Sequence, residues 1–160
     1  MAESASEIAG AEVDQQERHS TPLLVVERFL DLLRSGDVER AVELLAEDVE
    51  YVNVGMPTVH GRERVRRLFR ATLGRPGGGF DVHIHSISAD GPTVLTERTD
   101  VLKFHGLHVQ LWVCGRFDVH DGQIVLWRDY FDYMTVITAT VRGLVGTVFP
   151  PARAKPPLTT

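Results

Sequence analysis

The apolar positions of this chain change period once, near Val49, and that change separates a helical first third from a strand-rich remainder. Thr21 suits a helix N-cap and Pro22 the first helical position, after which Val26, Phe29, Leu30 and Leu33 recur at helical spacing. Gly36 ends that helix. Asp37 can cap a second one, whose Val38, Ala41, Val42 and Leu45 repeat the pattern. A short strand is predicted over Val49 to Val54, with Tyr51 and Asn53 on one side and Glu50, Val52 and Val54 on the other. A third helix, Arg62 to Leu73, is expected to bury Val65, Leu68, Phe69 and Thr72, and the glycine-rich stretch Gly74 to Gly79 breaks it.

From Phe80 onward the period is two. Phe80, Val82 and Ile84 share one face of a strand that ends near the turn Asp90-Gly91-Pro92. Further strands are predicted at Thr93 to Phe104, Leu107 to Val119 and Gln123 to Tyr133, joined by the two-residue turns His105-Gly106 and Asp121-Gly122. The sheet is therefore largely antiparallel, and helices followed by long strands indicate an α+β domain with helices over one face. Met134 to Val148 reads both as strand, from its threonines and β-branched residues, and as a terminal helix, from its position.

Composition narrows the class. With 160 residues, 43% hydrophobic and 24% charged, the chain reads as one folded domain over 21–149. It is flanked by an acidic arm, 1–20, expected to be disordered, and a proline-rich tail, 150–160. The net charge of −5 lies mostly in the arm, so the body carries no basic footprint for nucleic acid. No apolar run reaches the roughly 20 residues that cross a bilayer, and the acidic start lacks the order of a secretory signal. A cytoplasmic protein without a membrane partner is the expectation. Cys114, the single cysteine, excludes an intrachain disulfide and reads as a small buried apolar residue.

Some polar clusters carry little. His83 and His85, with His105, His108 and His120 later, invite a metal reading, but no third ligand stands at a defined spacing. Arg62, Arg64, Arg66, Arg67 and Arg70 lie on the helix sides away from Val65, Leu68 and Phe69, as a solvated face would. Gly77-Gly78-Gly79 follows a helix rather than joining strand to helix, so it is no phosphate loop.

The informative residues are charges that the strand period sends inward. Asp129 shares its face with Val125, Trp127, Phe131 and Tyr133, and Arg98 and Asp100 share theirs with Val94, Leu102 and Phe104. A carboxylate among aromatic rings must be paired or change its pKa, and Arg98 can be the partner. Two aspartates with an arginine between them can divide acid and base roles, one ionised and one neutral. The same trio can equally be a buried network that fixes strand register, and spacing leaves both readings open.

At these residues the chain resembles the limonene-1,2-epoxide hydrolase family. The matching segments are Tyr51-Val52-Asn53, Thr96-Glu97-Arg98-Thr99-Asp100-Val101-Leu102 and Trp127-Arg128-Asp129-Tyr130-Phe131-Asp132, within a likeness running from about Pro22 to Tyr133. The resemblance implies a cone-shaped α+β fold of the nuclear-transport-factor-2-like, SnoaL-like or cystatin-like type, with a curved mixed sheet around a deep apolar pocket. It also implies a homodimer and no cofactor or metal. Carried over by position, Asp129, Tyr51 and Asn53 would hold the attacking water with Asp129 as general base. Asp100 would protonate the epoxide oxygen, and Arg98 would bridge the two aspartates. The substrate would be a small lipophilic epoxide, opened by water in one step to a vicinal diol. Apolar candidates for the pocket wall are Leu33, Met56, Leu68, Leu73, Val82, Ile84, Leu102, Leu111, Val113 and Phe131. Two other functions fit the same pocket: a ketosteroid-isomerase-like or cyclase-like proton transfer, and a non-catalytic carrier of an apolar ligand.

Overall fold

A computed structural model describes residues 22–73 and 76–131. The acidic arm, the proline-rich tail, the threonine-rich segment after Tyr133 and the start of the glycine linker lie outside the described residues. Among the described residues no helix is long and apolar enough to cross a membrane.

The predicted apolar stripes are the buried ones. Helix α1 (22–34) buries Val26, Phe29, Leu30 and Leu33, and Gly36 follows with the positive φ of 80° that a non-glycine residue adopts rarely. Asp37 caps α2 (Val38–Glu43) by accepting a hydrogen bond from the Arg40 amide, and Val38, Ala41 and Val42 are buried. Helix α3 (Arg62–Thr72) buries Val65 and Phe69. Leu68, predicted to be buried with them, is 37% exposed, because it looks into an open cavity instead of the core.

Strands β1 (Leu45–Asn53), β2 (Val59–His60), β3 (Gly78–Asp90), β4 (Thr93–Phe104), β5 (Leu107–His120) and β6 (Gln123–Tyr130) form one sheet in the order β2-β1-β6-β5-β4-β3. All pairs are antiparallel except β1 with β6, so the sheet is mixed but mostly antiparallel. Both hairpin turns hold two residues at positive φ, His105 with Gly106 and Asp121 with Gly122, as a type I′ turn requires. Phe29, Leu30, Leu45, Val49, Val65, Val94, Phe117, Ile124 and Trp127 close the core between the helices and the inner sheet face.

Four details depart from the sequence reading. β1 starts at Leu45, four residues early, because an irregularity between Leu45 and Glu50 breaks its pairing with β6 and hides the alternation. β2 has only two residues, too few to show a period. β6 stops at Tyr130, with Phe131 beyond it and Tyr133 outside the described residues. Cys114 is exposed, not buried, because β5 turns it to the outer face between Glu97 and Tyr130.

Candidate active site

Three strands build the site, and the middle one supplies a gap. Arg98 and Asp100 stand on β4 and Asp129 on β6, with β5 between them; at the crossing, Gly115 pairs with both Thr96 and Asp129. The Arg98 side chain passes over Gly115. Its Nε donates to Asp100 Oδ1 at 2.9 Å and Oδ2 at 3.2 Å, its Nη1 to Thr96 Oγ1 at 2.9 Å, and its Nη2 to Asp129 Oδ1 at 2.7 Å. The guanidinium carbon lies 5.7 Å from the Phe117 ring centre, over its face. Arg98 is fully buried and both aspartates are buried, so three charges sit inside the domain with their hydrogen bonds made among themselves and to Thr96 and Trp127.

The parallel pairing of β1 with β6 completes the group. It sets Tyr51 beside Trp127 and Asn53 beside Asp129, and the Val54 amide continues the alignment by donating to the Asp129 carbonyl at 3.0 Å. The Tyr51 hydroxyl donates to Asn53 Oδ1 at 3.4 Å, and the Trp127 indole N–H donates to Asp129 Oδ1 at 2.8 Å. Tyr51 packs on Trp127 with ring centres 4.3 Å apart.

Electrostatics favours the acid form of Asp100. Burial pushes the Asp100 carboxyl up to about 6; the Arg98 charge opposes the rise and the Asp129 charge adds to it. Asp100 can therefore keep its proton up to about pH 6, where a surface aspartate is ionised. Burial raises the Tyr51 phenol well above its ordinary value, with the Asp129 charge adding, so it stays a neutral donor. Burial opposes the charge on Arg98, but Asp129 and Asp100 outweigh it and hold the guanidinium ionised.

These groups form the polar end of an apolar cavity of about 390 Å³. Of the ten wall candidates, Leu33, Met56, Leu68, Leu73, Leu102, Leu111, Val113 and Phe131 line it. Val82 and Ile84 do not. They lie on β3, opposite Asp100 and Arg98, and pack against the core. Phe69, Thr72, Phe80, Phe104 and Trp127 also line the cavity and were not among the candidates, since wall and core residues share one period in sequence.

Thr96 and Gly115 were missed as supports of Arg98, though each left a signal. Thr96 shares the strand face of Arg98, and a glycine inside a long strand marks close approach of another group. His83 and His85 pack edge to face, and His85 stacks on Trp112 and hydrogen-bonds Thr99 at 2.8 Å. Among the described residues no group of three or more His, Cys, Asp or Glu side chains converges on a metal position. On α3, Arg70 pairs with Glu39 and Arg66 with Glu39 and Glu63 on the surface.

A mixed sheet under helices, an apolar cavity and a buried Asp-Arg-Asp trio at its floor define a class of small α+β proteins built around an internal cavity. Residues 20–142 match the limonene-1,2-epoxide hydrolase catalytic domain. Epoxide hydrolase EphG of Mycobacterium tuberculosis is 47% identical over 129 residues, 81% of this chain and 85% of that protein. A solved M. tuberculosis limonene-epoxide-hydrolase-like epoxide hydrolase superposes with a TM-score of 0.81 at 44% identity, covering 86% of this chain and 97% of that one. A putative SnoaL-like polyketide cyclase from Jannaschia sp. shares the fold at 19% identity, with a TM-score of 0.62 over 77% of this chain and 93% of its own. The chain belongs to the limonene-1,2-epoxide hydrolase family.

Gly115 gives a direct test of the buried trio. A Cβ there would lie 2.0 Å from Arg98 Nη1, 2.6 Å from Thr96 Oγ1 and 3.1 Å from Asp129 Oδ1. Gly115→Ala is expected to destabilise the fold by about 3 kcal/mol, read as a lower urea midpoint, because the guanidinium loses its place between the carboxylates.

Proposed function

We propose that this chain, an epoxide hydrolase of the limonene-1,2-epoxide hydrolase type, adds water in one step to a lipophilic epoxide and releases a vicinal diol. The observation that carries this reading is the single guanidinium bonded to both buried aspartates at the polar end of an apolar cavity. Tyr51 and Asn53 hold a water against Asp129, which takes its proton as the oxygen attacks an epoxide carbon. The ring C–O bond breaks, and Asp100 gives its proton to the departing oxygen. The diol leaves with Asp129 protonated and Asp100 ionised, so one proton must pass back before the next turnover. The charge of the trio is the same before and after.

The cavity wall is apolar over most of its extent, which favours a substrate whose bulk is hydrocarbon. Leu33, Met56, Leu68, Leu73, Leu102, Leu111, Val113 and Phe131 are the side chains proposed to contact it. We also propose a homodimer in the cytoplasm. The outer sheet face exposes Leu95, Trp112 and Tyr130, apolar surface that a second copy would cover, and the exposed free thiol of Cys114 on that face suits a reducing compartment.

Turnover of terpene, sterol and fatty-acid epoxides in oxygen-18 water is expected to give singly labelled diol, lost by at least a hundredfold in Asp129→Asn. Unlabelled isomerised product, or no product from a folded protein, would move the function to proton transfer on carbon or to ligand carriage. The pH profile follows from Asp100, which must carry its proton to act. The rate constant kcat/KM is expected to fall about tenfold per pH unit above the Asp100 value of about 6, and a profile flat to pH 9 would contradict its role. Sedimentation velocity is expected to show a particle of two chains, reduced to one by Trp112→Glu.

A further inference from the structure

The two oxygens of Asp129 are held differently. Oδ1 accepts from Arg98 Nη2 at 2.7 Å and from Trp127 Nε1 at 2.8 Å, and the missing side chain of Gly115 leaves it room on the sheet side. Among the described residues no hydrogen bond to Oδ2 accompanies them. An oxygen that already accepts two strong hydrogen bonds is the poorer proton acceptor. We infer that Trp127 is a positioning residue: with Arg98 it occupies Oδ1 and leaves Oδ2 as the atom that removes the proton from water. This inference rests on the reading of Asp129 as general base.

Arg98 alone does not make that choice, because the same guanidinium also serves Asp100 and its balance between the two carboxylates changes as the proton moves. The indole N–H is uncharged, does not titrate and, among the described residues, has no acceptor besides Asp129. Its ring is fixed by Phe29 at 5.0 Å, by Phe117 stacked at 5.8 Å and by Phe69 at 5.8 Å. The indole also packs against the Tyr51 ring, so one side chain aligns both the carboxylate and the phenol that line the cavity. When Oδ2 takes the proton, Oδ1 remains an acceptor, and neither Arg98 nor Trp127 has to move. A donor that keeps its place through the cycle avoids the cost of reorganisation.

The charged and titratable groups packed around Asp129 are Arg98 and Asp100 from β4 and Tyr51 from β1, while the helices contribute apolar Phe29, Leu33 and Phe69 to this region. Loss of the indole donor therefore acts on Asp129 without removing another charge.

Two variants isolate the N–H: Trp127→Phe, which keeps an aromatic ring, and Trp127→3-benzothienylalanine, which keeps the indole shape and lacks only the donor. Both are expected to lower kcat roughly 10- to 100-fold, the range for a hydrogen bond to a charged group, with KM within about twofold of wild type. The acid-side limb of the kcat/KM profile is expected to move to higher pH, because a carboxylate that loses a donor holds its proton more tightly. An unchanged profile in the benzothienyl variant overturns the inference, whether kcat is retained or falls, since packing alone does not move that limb. Asp129→Asn, assayed in parallel, separates the two levels. If it retains turnover, the general base itself is misassigned; if it is inactive while the benzothienyl variant matches wild type, only the role of Trp127 fails.

Discussion

Burial of the Arg98 guanidinium is the constraint around which this domain is arranged. A permanent charge removed from water costs several kcal/mol unless its donors find acceptors of matching geometry. Here Asp100, Asp129 and Thr96 take them, and the Phe117 face lies beneath. Those partners come from different strands, so the charge can be accommodated only when β4, β5 and β6 are in register. The glycine at the crossing is part of the same requirement, since any Cβ there would occupy the guanidinium's path.

The proposed chemistry proceeds from the same arrangement. Two carboxylates sharing one cation in a dry interior cannot both behave like surface aspartates, and the structure gives them unequal surroundings. Asp100 has the Arg98 Nε and is pushed toward neutrality by burial. Asp129 has Arg98 Nη2 and the indole N–H on one oxygen and the Tyr51–Asn53 pair alongside it in the sheet. A single fold element, the parallel pairing of β1 with β6, is what brings that pair next to the carboxylate. Antiparallel pairing of β1 there would reverse the strand and separate Asn53 from Asp129.

Much of this was legible from residue order, because it depends on local periodicity. The apolar stripe of α1, the Asp37 cap and the two type I′ turns are set by neighbours a few residues away. Asp129 and Arg98 stood out because strand alternation is strict and a charge on an apolar face is rare. Where alternation is interrupted, as between Leu45 and Glu50, the strand boundary was lost. Cys114 was misplaced for a related reason: cysteine is apolar enough to sit on either face, and its own chemistry does not say which.

Sequence alone therefore determined the order of the longer elements, most of the buried helix positions and the two strands that carry inward charges, all of them consequences of 3.6- and 2-residue periods. The strand order was left to tertiary structure: that β6 lies between β1 and β5, that Arg98 reaches Asp129 across Gly115, and that Val82 and Ile84 belong to the core while Leu68 faces the cavity. The physical reason is that a side chain's period tells which face it occupies. What lies against that face is decided by residues distant along the chain, and only the packed sheet brings them together.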